Sequence, residues 1–260
     1  MNDNMKKSKL FTVICLAAGL LAACSQDEGT NADTLPAGRY PLQIAGIEVT
    51  AEANGQPWAR VTEGADGTSG DWDWDGTEKI GVQICSDGGT TTYTLNSGKQ
   101  ITSEAPLFWQ STSETGINAW YPSLDGTIDL ADQSTKLAYV LKGTGSGDYQ
   151  NPVSLTFTHQ LAKVRVKLTG DKTTDVHYVS VKGFTKCTST KGDISGGTDD
   201  GYILMKKPSG NGGYWEANVV PQTSVSGTEL IKLNDTAVTI GAGITEFAAG
   251  SYYTITISLQ

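Results

Sequence analysis

Val164-Arg165-Val166-Lys167-Leu168 and Tyr253-Thr254-Ile255-Thr256-Ile257-Ser258-Leu259 decide the fold, because apolar and polar residues alternate one by one in both stretches. A period of two puts every second side chain on one face of an extended strand, burying that face and wetting the other. The same texture recurs in shorter runs at 79–84, 91–95, 118–121, 154–158, 177–183, 215–220 and 230–233. Between the runs stand turn clusters at 87–89, 123–126, 196–201 and 209–213, whose glycines supply the positive φ of hairpin reversals. No stretch carries the 3.6-residue apolar repeat of an amphipathic helix of ordinary length. Many short strands with turns between them predict an all-β protein made of β-sandwiches. The 142–150 segment, with glycines at 143, 145 and 147, reads as the boundary between two of them. The expected organisation is an N-terminal sandwich over 35–146 and a C-terminal sandwich over 147–260.

The start of the chain has a different character. Lys6, Lys7 and Lys9 precede an apolar run from 10 to 23, which at 14 residues falls short of the roughly 20 that a spanning helix needs. Residues 1–23 therefore read as a signal peptide. The run closes on Leu21-Ala22-Ala23-Cys24, which resembles a bacterial lipobox, so the exported chain is expected to begin at a lipid-modified, palmitate-bearing Cys24. An ordinary secretory cleavage near Ala23, with Cys24 incidental, is the alternative; both readings export the chain. Several acyl chains on one cysteine make a durable membrane anchor. Residues 24–34 form a polar tether, and Gln26-Asp27-Glu28 within it is either a solvated linker or an acidic signal for the outer face of the outer membrane.

Removing residues 1–23 takes away three lysines and Asp3, moving the formal charge from −9 to −11. An acidic exported chain has no electrostatic reason to meet nucleic acid, and none is expected as a partner. Cys85 and Cys187 remain, 102 positions apart, either as a pair or as two buried or half-buried free thiols, with free thiols the expectation. With only His159 and His177 available, no Cys/His spacing resembles a zinc site, and no metal or cofactor is expected. Asp71-Trp72-Asp73-Trp74-Asp75-Gly76 opens like a calcium loop, but its twelfth position is Val82 in place of a bidentate glutamate. An acidic loop whose tryptophans pack on the sandwich is the preferred reading. The chain lacks a glycine-flanked nucleophilic serine, a phosphate loop and a zinc-helix motif, and it is not expected to be an enzyme.

Five blocks then occur in order: Phe108-Trp109-Gln110-Ser111-Thr112-Ser113-Glu114 with Ala119-Trp120-Tyr121-Pro122, Ala131-Asp132-Gln133-Ser134, Thr158-His159-Gln160-Leu161-Ala162-Lys163-Val164, and Val219-Val220-Pro221-Gln222-Thr223. Behind a lipobox, this series resembles the fimbrillin-like lipoproteins, the type V pilus subunits of Gram-negative anaerobes. The resemblance implies two transthyretin-like (Ig-like) β-sandwiches in tandem. It further implies that an arginine-specific protease removes the first strand and that the groove left behind accepts a strand from another subunit. In this chain 40–52 is that first strand, with Leu42 and Ile44 in one phase, Ile47, Val49 and Ala51 in the other, and Gly46 marking a bulge.

The chain has three arginines, Arg39, Arg60 and Arg165. Arg39 precedes the strand to be lost and Arg165 lies inside a strand, so the processing site is expected at Arg60, with the mature sequence beginning at Val61. An arginine in a loop with no processing role is the plainer alternative. His159 and the tryptophans at 109, 120 and 215 fall in the blocks and read as structural. Residues 252–259 read as an integral last strand with no further alternating segment to donate, which points to a tip or minor subunit with an adhesive role toward a host or bacterial surface glycan or protein. The competing reading is a monomeric surface lipoprotein that keeps its first strand and binds glycans through exposed aromatics. The expected location is the cell outer membrane, lipid-anchored and surface-exposed, and the fimbrium after processing. Wild-type protein is expected to partition into the detergent phase of a membrane extract and Cys24→Ala into the aqueous phase, with equal partitioning of the two counting against lipidation.

Overall fold

A computed structural model describes residues 33–49, the backbone of 56–57, and residues 72, 75–85, 88–208, 213–223, 225, 229–239 and 244–260. Cys24, Arg60 and Val61, and Asp71, Asp73 and Trp74 of the 71–76 loop, lie outside the described residues. Residues 33–260 pack as one compact unit.

Sixteen strands are described: β1 (Ile44–Val49), β2 (Gln56–Pro57), β3 (Lys79–Ile84), β4 (Thr90–Asn96), β5 (Gln100–Thr102), β6 (Thr115–Tyr121), β7 (Gly126–Asp129), β8 (Leu141–Gly147), β9 (Val153–His159), β10 (Ala162–Gly170), β11 (Val179–Thr190), β12 (Asp193–Leu204), β13 (Trp215–Val219), β14 (Ile231–Leu233), β15 (Thr236–Val238) and β16 (Ser251–Leu259). The all-β class predicted from the alternating runs is the class observed. Seven strands form one sheet in the order β1-β9-β8-β6-β3-β4-β5. Its two edges, β1 and β5, approach each other, so the sheet curls around a single core that includes Ile80, Val82, Tyr93, Leu95, Ile117, Leu155 and Phe157.

The remaining strands form a sandwich. A four-stranded sheet, β13-β10-β16-β2, faces a second sheet, β12-β11-β14-β15, to which β7 adds through β11. Val164, Val166, Ala217, Val219, Ile255 and Ile257 from the first meet Val179, Val181, Ile203, Ile231 and Leu233 from the second in one core. In β16 the even-numbered positions 254, 256 and 258 are exposed while Ile255 and Ile257 are buried, as the alternation requires.

Two expectations change. The glycine-rich 142–150 segment is not a linker: 142–147 lie within β8, which pairs with β9 in the curled sheet, and the chain changes sheet at Gln160-Leu161. The glycines of β8 are there for close approach. A Cβ at Gly143 would lie 2.8 Å from the Phe157 ring, and one at Gly145 would lie 2.6 Å from the Ser154 carbonyl. Likewise, 196–201 is not a turn but lies within β12, where the register against β11 shifts between Lys186 and Thr188 and so accommodates a bulge. The actual reversal is Lys191-Gly192, both residues having positive φ (49° and 82°).

The block residue Gln133 has a definite task. It is 1 % exposed, its Nε2 donates to the Asn218 carbonyl at 2.7 Å, and its Oε1 accepts from the Asn218 N–H at 3.0 Å and the Ala138 N–H at 3.2 Å. One side chain thus stands in for a strand and fastens the 130–140 crossover to β13. Replacing it orphans buried backbone groups at about 1–3 kcal/mol each. Gln133→Leu is therefore expected to lower unfolding free energy by about 2–4 kcal/mol in urea melts, whereas Leu124→Gln at a solvated turn stays within about 0.5 kcal/mol of wild type.

Candidate functional site: the edge held by the first strand

Residues 40–49 lie along the edge of the curled sheet and change partner halfway. Over 40–42 the chain runs antiparallel to 107–109: the Leu42 N–H donates to the Leu107 carbonyl at 2.7 Å and the Trp109 N–H donates to the Tyr40 carbonyl at 2.9 Å. From Ile44 onward it runs parallel to β9, from Ile44 opposite Val153 to Val49 opposite Phe157. The pairing skips a residue between Ile44 and Gly46, which is the bulge expected near Gly46. The bulge turns Ile47 and Val49 back to the core face already occupied by Leu42 and Ile44, so both phases read from the sequence serve one core.

Leu42 is 2 % exposed and Ile44 8 %; Ile47 and Val49 are half-buried. The Tyr93 hydroxyl, deep in the core, donates to the Leu42 carbonyl at 3.1 Å, and burial holds its phenol above the usual pKa, so it remains a neutral donor. On the outer side Thr156 Oγ1 donates to Glu48 Oε1 at 3.0 Å. The strand is thus bound by a row of backbone bonds and one row of apolar side chains, with no disulfide. β2 adds a second contact: Gln56 and Pro57 pair with Tyr252 and Ser251 at the start of β16, in the other sandwich.

Of the arginines, Arg39 stacks its guanidinium 3.9 Å over the Phe108 ring. Arg165 Nε donates to Glu216 Oε1 at 2.8 Å, and its guanidinium sits near the rings of Tyr214 and Tyr252 with its side chain 13 % exposed. The five sequence blocks do not converge on a pocket. Phe108-Trp109 is the partner of residues 40–42, Gln133 fastens a crossover, 158–164 carries the chain from one sheet to the next, and Gln222 pairs with Phe247. His159 is buried at 1 % and His177 is exposed, as expected. Trp72, Trp109, Trp120 and Trp215 are core residues, Trp72 meeting the rings of Tyr121 and Phe157 edge-on. Asp75, read as a calcium ligand candidate, accepts from the Thr77 N–H and hydroxyl, which holds its carboxyl below the usual range.

Cys85 and Cys187 are both free; Cys187 is buried, which pushes its thiol up to about 11, but Cys85 is exposed, because it follows the last residue of β3 at a turn. Sequence reasoning missed the roles of 107–109, Tyr93 and β2, since a two-residue strand and a side chain bonded 51 positions away leave no periodic signal.

A family model described as fimbrillin-like matches residues 60–260. No curated protein matches the chain. Among solved structures, a candidate cell adhesion protein from Bacteroides uniformis is 22 % identical with a TM-score of 0.55, covering 85 % of this chain and 94 % of its own. One from Bacteroides ovatus is 16 % identical with a TM-score of 0.57, over 84 % and 92 %. One from Bacteroides thetaiotaomicron is 19 % identical at 0.51, over 82 % and 91 %. At these identities the likeness is one of fold.

Truncating the buried part of the edge strand carries a definite cost. Leu42→Ala in the uncut chain is expected to lose about 2–5 kcal/mol of stability, while Glu48→Ala, whose side chain is in solvent, changes it by less than about 1 kcal/mol; equal effects in urea melts would mean that residues 40–49 do not fill the core.

Proposed function

The chain belongs to the fimbrillin-like family, and from that premise we propose that it is a fimbrial subunit assembled by loss and replacement of its first strand. In this reading the chain is exported as a lipoprotein on Cys24, held at the cell outer membrane, and cut after Arg60 by an arginine-specific protease, so that the mature subunit begins at Val61. The observation that carries the reading is the binding of 40–49 at a sheet edge. Each half of the segment has backbone partners on one side, so it can leave without a break in any other ladder. Arg165 is shielded by its ion pair and flanking rings, and Arg39 precedes the strand, which leaves Arg60 as the arginine whose cleavage would free it.

Loss of the strand is costly enough to drive its replacement. Two buried and two half-buried side chains at about 1.5–3 kcal/mol for each full burial, with ladder bonds at about 0.5–1.5 kcal/mol each, are comparable to a domain's whole stability of about 5–15 kcal/mol. A strand from a neighbouring subunit restores both contributions by β-augmentation and repeats head to tail. Because Gln56 and Pro57 also precede Arg60, the same cut removes β2 and bares the start of β16. β16 itself pairs with β10 over eight residues and buries Ser251, Ile255 and Ile257, so it is committed to its own sheet. We therefore assign the subunit the accepting role, at the tip or another minor position, where it would meet a host or bacterial surface. The monomeric glycan-binding alternative cannot draw on four of the tryptophans, which are 4–6 % exposed.

An arginine-specific protease at low dose is expected to give a stable fragment whose N-terminal sequence starts at Val61. A synthetic peptide of residues 40–52 added to that fragment is expected to raise its melting temperature. First cleavage at Arg165, or a fragment indifferent to the peptide, would overturn the strand-exchange reading.

A further inference from the structure

The outer part of the second sandwich contains a break in its sheet. On the side of β11 away from β12, β14 pairs with 179–181 and β7 with 186–189, leaving 182–185 between them. The break is bounded by the Lys182 N–H donating to the Leu230 carbonyl and the Leu130 N–H donating to the Thr185 carbonyl, both at 2.8 Å. A cavity of about 360 Å³ opens there, lined by Lys182, Gly183, Phe184, Asp200, Gln222 and Leu230. That volume is at the lower end of the range for small-molecule sites, roughly 300–1,000 Å³.

Its polar groups are placed for a ligand. The Gln222 backbone is fixed by exchange of both hydrogen bonds with Phe247, at 2.9 and 2.8 Å, so its side chain leaves from a rigid point. Gln222 Nε2 is buried and makes no hydrogen bond to the protein, a costly state for a donor. Residue 183 has no side chain beside it; a Cβ there would stand 3.5 Å from Nε2. Phe184, half-buried, offers an apolar ring, and Lys182 Nζ and Asp200 Oδ2, 3.9 Å apart, put one donor and one acceptor at the rim.

We infer that this cavity is a binding site for a neutral saccharide ring. A pyranose has an apolar C–H face for Phe184 and hydroxyls that both accept, from Gln222, and donate, to Asp200. Lys182 and Asp200 already balance each other's charge, so a neutral ring is accommodated with the pair intact, whereas a sugar of either charge has to displace one partner of it. An extended peptide is a poorer match, because the backbone groups bounding the break are already paired with Leu230 and Leu130. The site lies in the second sandwich and does not depend on loss of the first strand.

Full-length protein is to be titrated with glucose, galactose, N-acetylglucosamine, glucuronate and glucosamine, read by saturation-transfer NMR. At least one neutral sugar is expected to bind with Kd of about 10 mM or tighter, ahead of both charged sugars. Gln222→Leu and Phe184→Ala are expected to weaken it about tenfold or more, with Glu104→Gln, in the bend after β5, unchanged. Should either of these variants unfold, Asp200→Asn at the exposed rim serves in its place with the same expected loss. Absence of neutral-sugar binding, preference for a charged sugar, or wild-type affinity in the folded variants overturns the assignment. Because the protein is uncut, failure here leaves the strand-exchange reading standing, and failure at Arg60 leaves this one standing.

Discussion

One continuous segment, 153–170, supplies a strand to each half of the molecule: β9 to the curled sheet and, after the turn at Gln160-Leu161, β10 to the sandwich. Both parallel ladders among the described strands are built on it, β1 on β9 and β16 on β10, while the other ladders are antiparallel. A parallel neighbour cannot be joined by a tight hairpin and must come from far along the chain. Here the neighbours come from near the two ends of the sequence. The middle of the chain is therefore a template for both: its first part, 153–157, takes β1 in the curled sheet, and its second part, 163–170, takes β16 in the sandwich.

Within that arrangement the first strand and the last are held differently. β1 is at an edge, half of it shared with 107–109, and it needs a bulge to keep its apolar residues on one face. β16 lies between β10 and β2, keeps one register for its whole length, and ends where Gly170 pairs with Leu259 so closely that a Cβ at 170 would lie 2.0 Å from the Leu259 carbonyl oxygen. A strand built with an interruption at an edge is easier to exchange than one seated without interruption in a sheet.

How much of this was legible in the sequence varied with the kind of signal. The strands that alternate cleanly, 164–168 and 253–259, are strands in the structure, and the bulge near Gly46 was visible as a change of phase. Glycine misled twice, at 143–147 and at 196–201, because glycine chosen for contact and glycine chosen for turning look the same in one dimension. What distinguishes them is the neighbour across the ladder, Phe157 or Ser154, which only the fold supplies. The tether of Gln133 to Asn218, 85 positions away, and the amide of Gln222 were invisible for the same reason: polar side chains that satisfy or await distant groups carry no period. The family resemblance implies that residues 40–52 are the strand to be lost; only the structure shows that Gln56 and Pro57, which follow it, pair with the start of β16.

The glycines of β8 have one further consequence. Since Phe157 and Val153 rest on Gly143 and Gly147 and not on β1 alone, the floor beneath the first strand is anchored from below. In the proposed exchange, loss of the strand would leave these contacts of the floor intact, and an incoming strand would meet a surface already supported from the far side. The acceptor then surrenders little conformational freedom when the replacement arrives, and the ordering cost of association falls mainly on the incoming strand.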